Sequence, residues 1–160
     1  MRLLIRHYRI DERLIHGQVA TVWINTLGCN RIIVANDEAP KSEMLISMLK
    51  MACPPGVKLS LLSVEKAVRN INDGKYDDDK VFLITKNLAD CKRALEHGLE
   101  IISVNVGNAS HKEGYRKIKN SVSLSDEEIG IIRDIIASGI KVTAQMLPSE
   151  SDASIETYLK

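Results

Sequence analysis

Residues 9–19 read R-I-D-E-R-L-I-H-G-Q-V, and the predicted fold is built around them. An apolar run that begins at Leu3 precedes it, and apolar residues at helical spacing follow it as far as Leu27. This order predicts a β-strand, a polar turn and then an α-helix. In an open α/β sheet, ligands bind outside the carboxyl ends of the strands. The polar residues of the stretch are therefore expected at the rim of a sheet, where a ligand would bind.

The same order of strand and helix repeats along the rest of the chain. Short apolar runs predict six further strands, and helical spacing follows most of them. These runs cover residues 32–35, 57–61, 81–84, 101–106, 122–124 and 140–144. Repeated βα units predict an α/β fold with one open, mostly parallel, twisted sheet of about seven strands and helices on both faces. Residues 1–160 are expected to form a single domain.

The second helix is expected to begin at Pro40, because proline is favoured at the first helical position. Met44, Leu45, Met48 and Leu49 follow at helical spacing. A stripe of this kind usually forms the face of a helix that packs against the core. The sequence therefore predicts a helix over this segment.

Composition narrows the possible functions. The 160-residue chain has 22 Lys and Arg against 21 Asp and Glu, which does not favour binding to nucleic acid or to an anionic membrane. The three cysteines are an odd number without a C-x-x-C pair, so neither a disulfide framework nor a zinc site is indicated. No apolar run approaches the roughly 20 residues that cross a bilayer. We expect no metal, no cofactor and no direct membrane insertion.

His16 is the residue of the opening stretch that is best suited to covalent chemistry. A neutral imidazole can attack an electrophile. Gly17, which follows it, is expected to open the first helix, and a helix N-terminus favours an anion. Arg13 would add a cation, and Asp11 would orient the imidazole or hold Arg13. A histidine between a strand and a helix is also commonly a surface or capping residue, so spacing alone leaves both interpretations open.

Four segments resemble one known family. They are D-E-R-L-I-H-G-Q-V-A-T-V-W at 11–23, R-I-I-V-A-N-D-E at 31–38, A-C-P-P-G-V-K at 52–58 and N-V-G-N at 105–108. Together they resemble the IIB component of the mannose/fructose/sorbose branch of the bacterial phosphoenolpyruvate-dependent sugar phosphotransferase system. The resemblance spans nearly the whole chain. The family often has Asp-Asp before the arginine where this chain has Asp11 and Glu12, and a carboxylate is kept.

The resemblance implies a phosphocarrier. His16 would accept a phosphoryl group, on Nδ1, from the phosphohistidine of a IIA protein and pass it to a sugar bound by the membrane IIC/IID component. The chain would then be a protein-N(pi)-phosphohistidine–sugar phosphotransferase. It would be cytoplasmic and held at the inner face of the plasma membrane through the transporter. Arg13 is assigned as the phosphate clamp and Asp11 as the orienting carboxylate.

Further residues are expected to surround the phosphoryl group. Backbone amides after His16, or a glycine after the fifth strand, would donate hydrogen bonds, and this glycine suits either a tight turn or a close approach of the backbone to a ligand. A second arginine would add positive charge, or its side chain would lie on the sheet surface. The candidates are Arg9, Gly17, Gln18, Asn36, Asp37, Gly107 and Asn108. His111 lies in the loop after Asn108 and is a weaker candidate, because a loop histidine is usually only exposed.

Two other functions compete with the phosphocarrier. One is a non-catalytic module that binds a nucleotide or an anion at the same rim, although the chain lacks both G-x-G-x-x-G after the first strand and G-x-x-x-x-G-K-[ST]. The other is a protein that only bridges membrane subunits. The sequence identifies neither the sugar nor the oligomeric state, and a homo-oligomer stays open.

Overall fold

A computed structural model describes residues 4–159 of the chain. It contains eight strands: β1 (Ile5–Asp11), β2 (Arg31–Ala35), β3 (Lys58–Leu62), β4 (Val81–Thr85), β5 (Ser103–Asn108), β6 (Arg116–Lys119), β7 (Val122–Leu124) and β8 (Lys141–Thr143). Six of them form one parallel sheet in the order β3, β2, β4, β1, β5, β8. The strand that precedes His16 therefore lies at the centre of the sheet. Leu3, the predicted start of the first apolar run, lies outside the described residues.

Five helices cover the two faces of the sheet. They are α1 (Gly17–Leu27), α2 (Glu43–Ala52), α3 (Val64–Asn72), α4 (Leu88–Glu96) and α5 (Asp126–Ala137). Buried residues of α1 and α2 belong to one apolar cluster, and those of α3, α4 and α5 belong to a second cluster on the other face. The predicted α/β fold with helices on both faces is therefore confirmed. None of the helices in residues 4–159 is long and apolar enough to cross a bilayer.

The prediction of about seven strands in one sheet needs a correction. The run at 122–124 does form a strand, but β7 pairs with β6 in a separate antiparallel ribbon. β6 has the sequence R-K-I-K with a single apolar residue, so no apolar run predicted this strand. Because β7 pairs within this ribbon, the main sheet has six strands. β8 forms one edge of that sheet and is parallel to β5.

The fifth strand lies two residues later than predicted. The apolar run predicted a strand over 101–106, whereas β5 spans Ser103–Asn108. The cause is pairing with β1, in which Asp11 lies opposite Asn108. Gly107 and Asn108 therefore continue a strand, and the predicted tight turn at Gly107 is wrong.

The second helix also begins later than predicted. Pro40 lies in a 3-10 helix over Ala39–Lys41, and α2 starts at Glu43. Ser42 has extended backbone angles, and its side chain accepts a hydrogen bond from the Leu45 amide at 3.2 Å. This N-cap fixes the start of the helix, because it satisfies one of the amides that the first turn leaves unpaired.

Only part of the apolar surface of α2 is buried. Leu49 is buried at 3% exposure, but the side chains of Met44 and Met48 are 72% and 56% exposed. Helical spacing shows which residues share a side of a helix, and α2 has apolar residues on more than one side. The sheet takes only one of these sides, so the others stay in solvent.

Candidate functional site

His16 lies at the N-cap of α1, beyond the carboxyl end of the central strand β1. Its backbone is extended, and its side chain makes no capping hydrogen bond. The first amides of α1 are therefore not satisfied by the residue that usually caps them. The imidazole is partly exposed, whereas its Nδ1 atom is buried and has no hydrogen-bond partner in the described part of the chain.

Asp11 organises the turn between β1 and His16. One carboxylate oxygen, Oδ1, accepts a hydrogen bond from the Arg13 backbone amide at 2.9 Å and from Asn108 Nδ2 at 3.4 Å. The same oxygen lies 3.8 Å from Nε of the half-exposed Arg13 side chain. The structure therefore brings three of the predicted site residues together, and Asp11 holds Arg13 rather than contacting the His16 ring.

Arg9 is a buried cation beneath this turn. Its side chain is 2% exposed, and Nε donates to Asp11 Oδ2 at 3.1 Å. Nη1 donates to the carbonyl oxygens of Gln145 and Met146, both at 3.1 Å. Nη2 is buried, and no atom of residues 4–159 pairs with it. Burial lowers the pKa of Arg9, whereas the Asp11 carboxylate raises it.

Gly107 makes room for Arg9. A Cβ atom on Gly107 would lie 2.1 Å from the Arg9 Cζ atom, far inside van der Waals contact. A close approach of a ligand to the Gly107 backbone was one of the two predicted arrangements, because glycine has no side chain. In the structure the close approach is made by a guanidinium of the same chain. Gly107 is thus part of the site through Arg9.

Leu14, which lies two residues before His16, has an unusual backbone conformation. Leu14 has a φ of 59°, and it is the one non-glycine residue with a positive φ in the described chain. Such a conformation costs of the order of 1–3 kcal/mol and is found most often at functional sites. The Leu14 side chain is buried at 5% exposure, and its amide donates to the Asp11 carbonyl at 2.9 Å. Packing and this hydrogen bond hold the strained turn in place.

The loop after β5 is tied to the same turn. Glu12 accepts hydrogen bonds from the Ser110 amide at 3.0 Å and from the Ser110 hydroxyl at 2.5 Å. Glu12 also lies 3.8 Å from the Lys112 ammonium group. His111 makes a 3.1 Å hydrogen bond between its Nδ1 and Ser123 Oγ. Glu12 thus joins the two loops, and the ring of His111 is tied to β7.

Asn36 and Asp37 follow β2, which is separated from β1 by β4. The Asn36 side chain accepts from the amides of Glu38 and Ala39, so it shapes its own turn. Asp37 accepts from the Val64 amide at 3.0 Å and pairs with Arg93 at 2.8 Å. The hydrogen bond from Val64 and the pairing with Arg93 outweigh desolvation, so the pKa of Asp37 is lowered. Both side chains are engaged away from the Asp11 turn.

The segment 144–150 also supports the site, although no sequence pattern indicated it. Its Gln145 and Met146 carbonyls bind Arg9, and Met146 O also accepts from the Trp23 indole at 2.9 Å. Glu150 folds back onto the Met146 and Leu147 amides, each at 3.2 Å. A segment that contributes through backbone carbonyls leaves no residue-type signal in a sequence. Burial of Arg9 therefore could not be predicted from it.

The site has the components to hold an anion on His16 for a time. A helix N-terminus offers backbone donors, Gly17 and Gln18 begin that helix, and Arg13 adds an exposed cation held by Asp11. Among the described residues there is no group of three or more His, Cys, Asp or Glu side chains that would hold a metal ion.

Comparison with known proteins shows the family of this chain. The model of the PTS system sorbose subfamily IIB component matches residues 5–160. The sorbose-specific EIIB component of Klebsiella pneumoniae is 34% identical over 92% of this chain and 90% of its own. The mannose-specific EIIAB component of Escherichia coli K12 is 36% identical over 89% of this chain, which spans 44% of that longer protein.

A solved structure agrees with these sequence matches. The crystal structure of the IIBSor domain of the sorbose permease from Klebsiella pneumoniae superposes with a TM-score of 0.90. It is 33% identical in sequence and covers 99% of this chain and 96% of its own. The chain therefore belongs to the sorbose subfamily of IIB components of the sugar phosphotransferase system.

Proposed function

We propose that this chain is a phosphocarrier that takes a phosphoryl group from a phosphohistidine IIA protein onto His16 and delivers it to a sugar in a IIC/IID membrane transporter. Family membership supports the general role in sugar uptake. The observation that carries the specific assignment is the position of His16 at an uncapped helix N-terminus, beside an arginine held by Asp11.

Each transfer exchanges one bond to phosphorus for another. In the first step, a lone pair of neutral His16 attacks phosphorus, the donor's N–P bond breaks, and its electron pair returns to the donor imidazole. In the second step, a sugar hydroxyl attacks phosphorus and releases its proton to water, while the electron pair of the broken N–P bond returns to His16 and regenerates the neutral imidazole. Such transfers require mainly positioning and stabilisation of charge.

Each neighbour has a defined part in this proposal. The amides of Gly17 and Gln18 donate to the phosphoryl oxygens, and the helix dipole adds about 0.3–1 kcal/mol. Arg13 pairs with the phosphoryl group, and Asp11 keeps Arg13 in place with help from Asn108. Arg9 contributes through Asp11, to which it is bound.

Asn36, Asp37 and Gly107 are assigned indirect parts in the site. Asn36 and Asp37 were predicted near the phosphoryl group, and we assign them to the shape of the neighbouring rim, because their side chains bind other residues. Gly107 leaves space for the Arg9 guanidinium.

The acceptor atom sets a further requirement. The family resemblance assigns the phosphoryl group to Nδ1, yet Nδ1 of His16 is buried in the structure. The imidazole therefore has to turn about its Cβ–Cγ bond before a donor reaches Nδ1. Antibodies that distinguish the two phosphohistidine isomers would check this, and we expect the Nδ1 isomer. Finding the Nε2 isomer instead would mean that the ring reacts in the orientation seen here.

Reconstitution of the phosphoryl cascade tests the function. Purified chain is incubated with phosphoenolpyruvate, the general phosphocarrier proteins and a cognate IIA protein, and phosphoryl incorporation is measured. We expect an acid-labile, base-stable phosphoryl group that is lost in His16→Ala, because nitrogen carries it. His111→Ala is the matched control and should keep the label, since the His111 ring is bound to Ser123. Labelling of His16→Ala to the normal extent would contradict the proposal.

A further inference from the structure

Three methionines form an exposed apolar stripe on α2, which we call the methionine surface. Met44, Met48 and Met51 are spaced by four and three residues, so they lie on one side of the helix. Their exposures are 72%, 56% and 87%, and they are three of the five large hydrophobic side chains that are exposed among the described residues. At 1.5 Å per residue the stripe is about 10 Å long. Apolar side chains concentrated in this way usually mark a contact with another molecule.

The methionine surface extends to the reactive histidine. Met51 lines a groove of about 460 Å³ together with Gly17 and Gln18 of α1. A Cβ atom on Gly17 would lie 3.4 Å from the Ala52 carbonyl oxygen, so the end of α2 touches the start of α1. Because Gly17 directly follows His16, a macromolecule that reaches His16 from this side also covers Met51.

On the basis of the phosphocarrier function proposed above, we propose that the methionine surface is the docking site for the IIA phosphoryl donor. The residues that line the groove between α1 and α2 are all uncharged. The buried centre of a protein–protein interface is depleted of charge and enriched in methionine. Methionine side chains are flexible and adapt to the shape of a partner. A folded protein with an apolar surface around its own phosphohistidine fits these properties.

Two other occupants fit the methionine surface less well. The membrane component lies among anionic headgroups, where a docking surface gains from Lys and Arg side chains. The groove lining offers none. A second copy of this chain on the same surface would cover His16 and would block the transfer that the proposed function requires.

The double variant Met48→Glu/Met51→Glu tests the docking site. Both side chains are largely exposed, so we expect the midpoint of unfolding to stay unchanged. The kcat/KM for phosphorylation by phosphorylated IIA should fall at least tenfold, mainly through KM, because two carboxylates must be desolvated in the interface. Phosphorylation of His16 by the small donor phosphoramidate should be unchanged. Transfer from the phosphorylated variant to sugar in transporter-containing vesicles should also be unchanged.

Ile102→Glu is the matched control. Ile102 is 59% exposed and directly precedes β5. It therefore lies at the amino ends of the parallel strands, whereas His16 lies at their carboxyl ends. This variant should accept phosphoryl groups from IIA at the normal rate. An equal loss in both variants would overturn the docking proposal, because it would not depend on the methionine surface.

Other outcomes overturn the docking proposal directly. An unchanged kcat/KM with IIA removes it. A loss confined to the sugar step assigns the surface to the membrane component instead. A wild-type dimer that the double variant abolishes assigns it to a second copy. Wild-type chain that takes no label from either donor contradicts the proposed function itself, and the docking site falls with it.

Discussion

Arg9 and Asp11 form a buried ion pair beneath the turn that precedes His16. Their side chains are 2% and 1% exposed, and the atoms Nε and Oδ2 lie 3.1 Å apart. Desolvation makes such a pair a weak source of stability, but removal of one partner typically costs about 3–5 kcal/mol. The pair is therefore better understood as a device that fixes geometry. Through the Asp11 carboxylate, it fixes the backbone of Arg13 three residues before His16.

Gly107→Ala should damage this geometry. The added methyl group would fall 2.1 Å from Arg9 Cζ, and the guanidinium has little room to move because carbonyl groups hold it. We expect a loss of about 3 kcal/mol in the free energy of unfolding, at the upper end of the range for overpacking. Urea denaturation measures it, and phosphorylation of His16 should slow as well.

Gly130→Ala is the control for this substitution. Gly130 lies within α5, and a Cβ atom there would meet nothing within 4 Å. Alanine in the middle of a helix is favoured over glycine, so this variant should gain about 0.5–1 kcal/mol. Equal stabilities of Gly107→Ala and the wild type would show that Arg9 is not held as described.

His7 should make the stability of the protein depend on pH. Its ring stacks on Trp23 with centroids 4.0 Å apart. Burial, together with the positive charge of Arg9, lowers the pKa of His7 from 6.5 to about 3. Above pH 6.5 His7 is neutral in both folded and unfolded chains, so its contribution is complete. As the pH falls from 6.5 toward 3, His7 binds a proton in the unfolded chain but not in the folded chain. The free energy of unfolding therefore decreases.

The variant His7→Phe isolates this effect while keeping an aromatic ring against Trp23. Between pH 6 and pH 4 the wild type should lose up to about 1.4 kcal/mol per pH unit more than the variant. Urea denaturation at several pH values gives both curves. Parallel curves for the two proteins would show that His7 is protonated as easily in the folded chain as in the unfolded one.

At the scale of the element, the start of a helix depends on local sequence, whereas its packing depends on the assembled fold. Ser63 and Ser125 cap α3 and α5, the latter in a full capping box with Glu128. Such helix ends depend on residues that are near one another in sequence, so they can be predicted from the sequence. The exposure of Met44 and Met48 depends on which side of α2 the sheet takes, and that is a property of the assembled fold.

Strand bounds show the same division between local and distant causes. The run at 81–84 predicted β4 closely, because that strand is buried on both faces and its residues are continuously apolar. β5 continues to Asn108 because Asp11 of the neighbouring strand lies opposite it. No periodicity within β5 carries that information. For the same reason, the two-residue shift at β5 turned a predicted loop glycine into a strand glycine.

At the scale of the whole molecule, the βα order predicted the sheet, its parallel strands and the rim position of His16. The resemblance added the phosphocarrier hypothesis, and the comparisons confirmed the family. The sequence did not predict the contacts that hold Arg9 beneath the turn before His16. Nη1 of Arg9 donates to carbonyl oxygens more than 130 residues away in the chain, at Gln145 and Met146. Only the assembled fold brings those groups together.

Glu150 is the residue that closes this distant segment. Its carboxylate accepts from the Met146 and Leu147 amides and lies 3.2 Å from Lys119 Nζ. Although burial acts to raise the pKa of Glu150, these hydrogen bonds lower it. We expect Glu150→Ala to cost about 1–3 kcal/mol, because two amides and an ammonium group lose their acceptor. Amide hydrogen exchange at Met146 and Leu147 should become faster.

Asp152→Ala serves as the comparison for Glu150→Ala. Asp152 is 82% exposed and pairs with Lys141 at 3.6 Å on the surface. Exposed pairs of this kind contribute little to stability, so the substitution should be nearly neutral. If removal of Glu150 were equally neutral, the segment 144–150 would be held by its other contacts alone.

The hydrogen bond from the Trp23 indole to Met146 O has a practical consequence. The chain has a single tryptophan, and the carbonyl it binds is the one that also receives the guanidinium of Arg9. Tryptophan fluorescence therefore reports on the residues beneath the turn that precedes His16, and on no other part of the protein. If these residues move during the proposed phosphoryl transfer, the emission wavelength should change. The change can be followed in real time without an attached dye.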